Sequence, residues 1–225
     1  MKKVKQSSRI QASFLSGAEK RILVKIAQAL PGWITSNMLT AIGVAGSIVI
    51  AMGYYLSNYD AAWLWLASFG FVINWFGDSL DGTVARVRNT QRPVFGYYLD
   101  HTVDVVNEAM MFIGAGLSPY LDLRAAVLAY IIYLALTLNV YINVHLRGEF
   151  NLTYFGFGPT ELRIVMIAVN TVLFFVGPSL IGNPALLYIS FAIPAILLVI
   201  YLVTIVKDIR HFSKIDPLKK NGNTN

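Results

Sequence analysis

Four aspartates in an otherwise apolar part of the chain are the residues best suited to chemistry. Asp78 and Asp81 are three residues apart, and Asp100 and Asp104 are four apart. On helices these spacings place each pair on one face. The four fall within 27 residues, although the whole chain has only 12 acidic residues. Ionisable groups in or beside membrane helices cost free energy unless they are paired, hydrated or metal-bound, so the cluster predicts a functional site.

The chemistry that this cluster favours is phosphoryl transfer with metal ions. Facing carboxylates repel one another where the dielectric constant is low, and dense oxygen ligands suit Mg²⁺, Mn²⁺ or Ca²⁺ rather than zinc. Gly82 allows close backbone approach, Ala85 is small, and Arg86 can hold a phosphate with two hydrogen bonds. Gly96 begins the segment that carries the second pair. Metal ions and an arginine around a pyrophosphate are the usual components of phosphoryl transfer.

The elements that must position these residues have the composition of membrane helices. The 225 residues are 56% hydrophobic and 13% charged, whereas a soluble domain carries about a quarter charged residues. Long apolar runs without alternation favour helices over a β-barrel. The sequence therefore predicts an all-α integral membrane protein with six transmembrane helices. The predicted spans are 34–56, 61–80, 96–117, 124–145, 162–181 and 185–206.

The basic residues predict the orientation in the membrane. With six spans, both termini lie on one side, and Arg124 is the only one of the 18 Lys and Arg residues on the other. The positive-inside rule then predicts cytoplasmic termini and a cytoplasmic active site, and we expect a bacterial plasma membrane. The net charge of +6 thus reports topology and contact with the lipid bilayer, and nucleic acid is not an expected partner.

We expect the chain to be organised in three parts. Residues 1–33 form a cytoplasmic segment, residues 34–210 the six-helix catalytic domain, and residues 211–225 a cytoplasmic tail. Within the first part, 17–30 has apolar residues at helical spacing with charges between them, which predicts an amphipathic helix on the membrane surface. A plain connector before the first span explains this stretch equally well. The chain has no cysteine, which excludes disulfides and thiolate chemistry.

The aspartate region resembles the motif of the CDP-alcohol phosphatidyltransferases, D-x-x-D-G-x-x-A-R followed by G-x-x-x-D-x-x-x-D. The predicted six-span layout is similar to that family as well. Between Arg86 and Gly96 the chain has nine residues, a longer connection than is usual in the family. All eight fixed positions are present, as Asp78, Asp81, Gly82, Ala85, Arg86, Gly96, Asp100 and Asp104.

The resemblance implies a reaction and roles for the aspartates. An acceptor hydroxyl attacks the phosphorus attached to the lipid or alcohol moiety of a CDP-linked donor, and CMP leaves. Two divalent ions, Mg²⁺ or Mn²⁺, are expected, with Asp78, Asp81 and Asp100 as ligands. Asp104 is expected to take the acceptor proton as the catalytic base and to contact metal as well. Members of the family often form homodimers, so a homodimer is also expected.

The resemblance further implies a CDP-binding set. The segment TSNMLT (35–40) resembles the family's entry to the first span, although Thr35 or Ser36 as a helix cap explains it equally well. The residues expected to bind CDP are Gly82, Ala85, Arg86, Gly96, Asn37 and Thr40.

Acceptor and donor identities stay open at this stage. Asn107, Arg147 and Arg163 are candidates for acceptor binding, although solvated charges explain the two arginines about as well. The donor is CDP-diacylglycerol with a small polar alcohol, which we slightly favour, or CDP-choline or CDP-ethanolamine with a lipid alcohol. His101 supports the second scheme, because D-H-x-x-D resembles the choline and ethanolamine branch. A cation transporter is the non-enzyme alternative, but it would carry acidic residues at mid-membrane on broken helices.

Overall fold

Helices account for nearly all of the chain that the computed structural model describes, which is residues 8–9, 14–147, 149–150 and 158–217. Two short strands, β1 (Ser8–Arg9) and β2 (Glu149–Phe150), pair in parallel, and a single 3₁₀ turn, Gly177–Ser179, follows the sixth helix. The α-helices are α1 (Ser16–Ala29), α2 (Ser36–Leu56), α3 (Trp63–Val87), α4 (Pro93–Gly116), α5 (Leu123–Arg147), α6 (Pro159–Val176) and α7 (Pro184–Ile215).

Local sequence signals explain where these helices begin. The Thr35 side chain accepts a hydrogen bond from the Met38 backbone nitrogen at 3.3 Å, so the cap proposed for this segment is present. Helices α4, α6 and α7 each begin with proline, whose missing N–H has no partner to lose in a first turn. Asn183 caps α7 by accepting from the Ala185 nitrogen at 2.9 Å.

The described residues confirm the predicted helical membrane fold but not the full set of six spans. Within the described residues, four helices are long and apolar enough to cross a membrane, namely α2, α5, α6 with its 3₁₀ turn, and α7. Helices α3 and α4 have 25 and 24 residues, but they carry the aspartates and other polar side chains and do not reach the same apolar character. That α3 and α4 also cross the bilayer stays a prediction.

The connection between α3 and α4 is shorter than the predicted spans suggest. The predicted spans end at 80 and restart at 96, whereas α3 continues to Val87 and α4 starts at Pro93. A helix can extend beyond the apolar stretch because its backbone hydrogen bonds do not depend on hydrocarbon around it. The motif residues from Asp81 to Arg86, and Gly96, are therefore helical rather than part of a loop.

Close packing of α2 against α3 fixes the start of the motif. A Cβ atom added at Gly77 would overlap the backbone of Gly43 and the carbonyl oxygen of Leu39. Only glycine permits this approach of two helix backbones. Because Gly77 directly precedes Asp78, the contact sets the position of the first aspartate relative to α2.

Helix α1 covers the outer side of the motif helix. Leu23 and Ala27 of α1 are buried in one cluster with Leu80 and Val84 of α3. Glu19 accepts hydrogen bonds from Trp75 Nε1 of α3 at 2.8 Å and from the Thr160 hydroxyl of α6 at 2.6 Å. The predicted helix at 17–30 is thus present as Ser16–Ala29, while its position on a membrane surface stays a prediction.

Arg88 fixes the segment between α1 and α2. This residue follows the last turn of α3, and its guanidinium donates hydrogen bonds to four carbonyl oxygens. The acceptors are Leu30 at 2.8 Å, Pro31 at 3.0 Å, Gly32 at 3.4 Å and Ile34 at 2.5 Å. The end of α3 and the start of α2 are thereby held together.

Candidate active site

A small cavity lies where α2, α3 and α4 meet. Its volume is about 10 Å³, which is room for one water-sized group. All four predicted aspartates line it, together with two other predicted site residues, Thr40 and Asn107. The complete lining is Thr40, Gly43, Asp78, Asp81, Asp100, Val103, Asp104 and Asn107.

Asp81 is held against α2 by hydrogen bonds. The Thr40 hydroxyl donates to Oδ2 of Asp81 at 2.7 Å, and the Gly82 backbone nitrogen donates to Oδ1. The Ser36 hydroxyl donates to the Asp81 carbonyl oxygen at 2.9 Å. Thr40 therefore positions a carboxylate of the cavity, which is a contact that the sequence did not predict for it.

Asp78 is held by a residue from a distant helix. Arg163 of α6 donates from Nη2 to the Asp78 carboxylate at 2.6 Å and from Nε to Oδ1 of Asn74 at 2.9 Å. Asn74 is fully buried, and its amide donates to the Gly43 carbonyl and the Ser47 hydroxyl, each at 3.0 Å. This chain of hydrogen bonds joins α2, α3 and α6 and places a cation beside the carboxylates.

The α4 aspartates are held less firmly. No hydrogen bond from the described residues reaches the carboxylates of Asp100 or Asp104. The nearest basic group is His101 Nδ1, which lies 3.5 Å from Asp100 Oδ2. The His101 ring is held between Tyr97 and Tyr141, with ring centroids 4.0 and 5.0 Å away. The two carboxylates thus keep their oxygen atoms available to a ligand.

The donor atoms around the cavity fit a divalent cation. Ligand atoms of Asp100, His101 and Asp104 lie within 4.8 Å of one another, and Asp78 and Asp81 complete the carboxylate set around the same cavity. Carboxylate-rich sites suit Mg²⁺ and Mn²⁺, and the added imidazole is compatible with Mn²⁺. Such a cation would relieve the repulsion among these carboxylates.

Other predicted site residues lie away from the cavity. Asn37 and Gly96 are exposed, and a Cβ atom at Gly96 would meet only open space. Arg86 folds back along α3, where it donates to the Thr83 hydroxyl at 2.9 Å and passes close to Gly82. Their roles in CDP binding, and that of the half-buried Ala85, stay predictions.

Three further residues complete the comparison with the sequence-based site. The side chain of Arg147 lies outside the described residues. Asn74 and Glu108 were not predicted, although each is four residues from an aspartate of the motif and so shares its helix face. A polar residue at that spacing in an apolar run is the signal that could have identified both.

Carboxylates gathered around one small cavity, with an arginine beside them, are typical of sites that transfer phosphoryl groups with metal ions. The chain belongs to the CDP-alcohol phosphatidyltransferase family, whose model matches residues 33–206. The apolar helices and the family together make it an integral membrane protein, in a family that generally depends on divalent metal. This assignment favours an enzyme over the cation transporter.

Two relatives of known activity are similar to part of the chain. Phosphatidylinositol phosphate synthase of Cutibacterium acnes is 33% identical over 100 residues, which are 43% of this chain and 45% of that protein. Archaetidylinositol phosphate synthase of Pyrococcus horikoshii is 34% identical over 84 residues, which are 37% of this chain and 42% of that protein. The matches thus span less than half the length of either relative. No solved structure matches the chain.

Proposed function

We propose that the protein transfers a phosphatidyl group from a CDP-diacylglycerol-type donor to an acceptor alcohol and releases CMP. The observation that supports this proposal is the convergence of all four motif carboxylates on one cavity. Both relatives are named as synthases of a lipid inositol phosphate, which favours a CDP-linked lipid as donor and a phosphorylated polyol as acceptor. The choline and ethanolamine scheme has only His101 in its favour.

In the proposed reaction, Asp78, Asp81 and Asp100 would hold two divalent ions, Mg²⁺ or Mn²⁺. When bound, such ions stabilise negative charge on the phosphoryl oxygens of the donor. The acceptor oxygen forms a bond to the lipid-linked phosphorus, the bond from that phosphorus to the oxygen of CMP breaks, and CMP leaves with the bonding electrons. The proton of the acceptor hydroxyl passes to Asp104.

Asp104 suits this role because of what surrounds its carboxylate. It lines the cavity and receives no hydrogen bond from the described residues, so its lone pairs are available to an incoming hydroxyl. An aspartate is a weak base toward an alcohol, and positioning of the two reactants must supply much of the rate. Asp100, one turn before Asp104 on α4, is expected to help by binding metal.

Arg163 is proposed to bind the phosphate of the acceptor. Its contacts to Asn74 and Asp78 use Nε and Nη2, and a guanidinium carries five N–H groups in all. The remaining donors can pair with a phosphate beside the cavity. Arg147 is proposed to contribute to the same acceptor site. On the CDP side, the proposed residues are Gly82, Ala85, Arg86, Gly96, Asn37 and Thr40.

The arrangement in the membrane is also part of the proposal. Helices α2 to α7 form six spans, and both termini and the cavity face the cytoplasm of a bacterial cell. The positive-inside distribution of basic residues supports this orientation. Residues 1–33 and 211–225 then form cytoplasmic segments around a catalytic domain of residues 34–210, and the enzyme works as a homodimer.

A panel of substrates tests the proposed function. Purified protein with Mn²⁺ or Mg²⁺ is given radiolabelled CDP-diacylglycerol, CDP-ethanolamine or CDP-choline with glycerol 3-phosphate, inositol 1-phosphate, serine or diacylglycerol. We expect CMP and a new phospholipid from CDP-diacylglycerol and a polyol phosphate, and no product with EDTA. Product from CDP-choline and diacylglycerol, or cation movement across vesicles without use of any donor, would contradict the proposal.

A further inference from the structure

The inner wall of the cavity carries an amide oxygen that lacks a partner. Asn107 lines the cavity, three residues after Asp104 on the same face of α4, and is only 5% exposed. Its Oδ1 atom is buried and accepts no hydrogen bond within the described part of the chain. A buried acceptor without a donor is unfavourable. Its position in the cavity therefore indicates that a ligand supplies the donor.

Glu108, the next residue along α4, repeats this pattern. Its Oε2 atom is also buried and without a hydrogen-bond partner among the described residues. Tyr133 of α5 lies beside this carboxylate, and the charges of Asp78 and Arg163 act on it. Glu108 is not among the residues that line the cavity, so Asn107 Oδ1 is the acceptor of this pair that a ligand there can reach.

The groups of the proposed reaction differ in what they can donate. The phosphates of a CDP-linked donor carry acceptor oxygens and cannot satisfy Asn107 Oδ1. The reacting hydroxyl of the acceptor gives its proton to Asp104. Among the groups that meet at the reacting phosphorus, a second hydroxyl of the acceptor molecule can donate to Asn107, and a volume of about 10 Å³ admits a group of that size.

We propose that Asn107 Oδ1 accepts a hydrogen bond from a second hydroxyl of the acceptor and thereby selects polyols over monohydroxy alcohols. This inference rests on the proposed function, since it concerns the acceptor in the same site. Asn107 is a specificity residue in this proposal, and Asp104 remains the group that takes the proton.

The test compares two acceptor probes that differ by one hydroxyl. Glycerol 3-phosphate has a second free hydroxyl, and 2-hydroxyethyl phosphate does not. With CDP-diacylglycerol, Asn107→Leu is expected to lower kcat/KM for glycerol 3-phosphate about tenfold, mainly through KM, because one hydrogen bond is lost. For 2-hydroxyethyl phosphate we expect a change of less than about twofold, since that probe has no hydroxyl for Asn107 to bind.

A matched control separates this effect from loss of a buried asparagine. Asn170 is also fully buried, but it bonds the Tyr54 hydroxyl at 2.9 Å and the Ser68 hydroxyl at 3.2 Å, away from the cavity. Asn170→Leu is expected to lower Tm and leave the preference between the probes intact. Asn107→Leu loses no hydrogen bond at Oδ1, so its Tm should stay near that of the parent. Asn107→Ala is a second variant with a smaller side chain at the same position.

Two readouts need no turnover. Mn²⁺ binding, followed by electron paramagnetic resonance, should be the same in the parent and Asn107→Leu, whereas weaker binding would make Asn107 a metal ligand and overturn the inference. Binding of glycerol 3-phosphate, followed by the shift in Tm, should be about tenfold weaker in Asn107→Leu. An equal preference or an equal Tm shift in both proteins overturns the inference. Absence of CMP release by the parent, with this binding difference retained, overturns the proposed function instead.

Discussion

The two halves of the aspartate motif differ in how the protein holds them. Asp78 and Asp81 on α3 are each fixed by hydrogen bonds, from Arg163 at 2.6 Å and from Thr40 at 2.7 Å. Asp100 and Asp104 on α4 receive none from the described residues. The α3 carboxylates thus have orientations set by the fold, while the α4 carboxylates keep their oxygens for ligands.

This difference matches a division of labour in catalysis. A metal ligand benefits from a rigid orientation, which hydrogen bonds from its neighbours provide. A group that must accept a proton from a substrate is better left without protein donors, since these would compete for its lone pairs. We therefore expect substitutions of the α3 aspartates to affect stability and metal binding together, substitutions of Asp100 to affect metal binding without loss of stability, and substitutions of Asp104 to affect the reaction.

The largest effect is expected at Asp104. Asp104→Asn removes the proposed base and should lower kcat by about 10²–10⁴-fold, with Tm unchanged because no hydrogen bond is lost. CMP release and thermal unfolding in detergent measure the two effects. Asp122→Asn is the control, since the hydrogen bond with Arg124 lowers the pKa of Asp122 to about 2 and keeps it charged outside the cavity. Full activity in Asp104→Asn would contradict the assignment of the base.

The second-largest effect is expected when Arg163, which holds the Asp78 carboxylate, is replaced. Arg163→Gln breaks the ion pair with Asp78 and the hydrogen bond to the buried Asn74, and should lower the free energy of unfolding by about 1–3 kcal/mol. Thermal or denaturant unfolding in detergent measures this change. Arg124→Gln breaks a pair with Asp122 in which the arginine is largely exposed, so little change is expected there. Equal stability of both variants would show that the contacts of Arg163 with Asp78 and Asn74 do not stabilise α3.

The helix contact beside Asp78 gives a third prediction. Gly77→Ala places a methyl group against the α2 backbone at Gly43 and should destabilise the protein by about 1–3 kcal/mol, with weaker Mn²⁺ binding. Gly17→Ala on α1, where a Cβ atom meets nothing within 4 Å, should leave both properties unchanged. A Gly77→Ala protein with parental Tm and Mn²⁺ affinity would mean that this helix contact does not fix the position of Asp78.

The smallest effect is expected at Thr40. Thr40→Val keeps the shape but removes the donor to Asp81, which should cost about 1 kcal/mol and weaken Mn²⁺ binding by a few-fold, about 2- to 5-fold. Thr171→Val is the matched control, because that hydroxyl bonds only a carbonyl of its own helix, Ile167, at 2.8 Å. If the two variants bind Mn²⁺ equally well, Thr40 does not orient Asp81.

The spacing of residues along the sequence predicted those parts of the site that lie within a single helix. The intervals between Asp78 and Asp81, and between Asp100 and Asp104, fix a shared face wherever the helices lie. Helix α1 and the capping by Thr35 also follow from local sequence. These features need no knowledge of the other helices.

Contacts between distant helices could not be predicted in this way. Arg163 reaches Asp78 only because α6 packs on α3, and 85 residues separate the two in sequence. The sequence also could not indicate that Arg86 bends back to Thr83 instead of facing the cavity. Helix ends were misplaced where charged residues follow an apolar run, because hydropathy measures the membrane environment and not the backbone hydrogen bonding that continues to Val87.

The four hydrogen bonds of Arg88 bear on where the chain can vary in length. The connection after α3 has nine residues between Arg86 and Gly96, and Arg88, the first residue after α3, is fixed to carbonyl oxygens of residues 30–34. Extra residues, in evolution or as an inserted tag, are therefore best accommodated after Arg88. Asn89 already adopts a left-handed conformation there. A protein engineer who needs a reporter site near the cavity should insert it between Asn89 and Arg92.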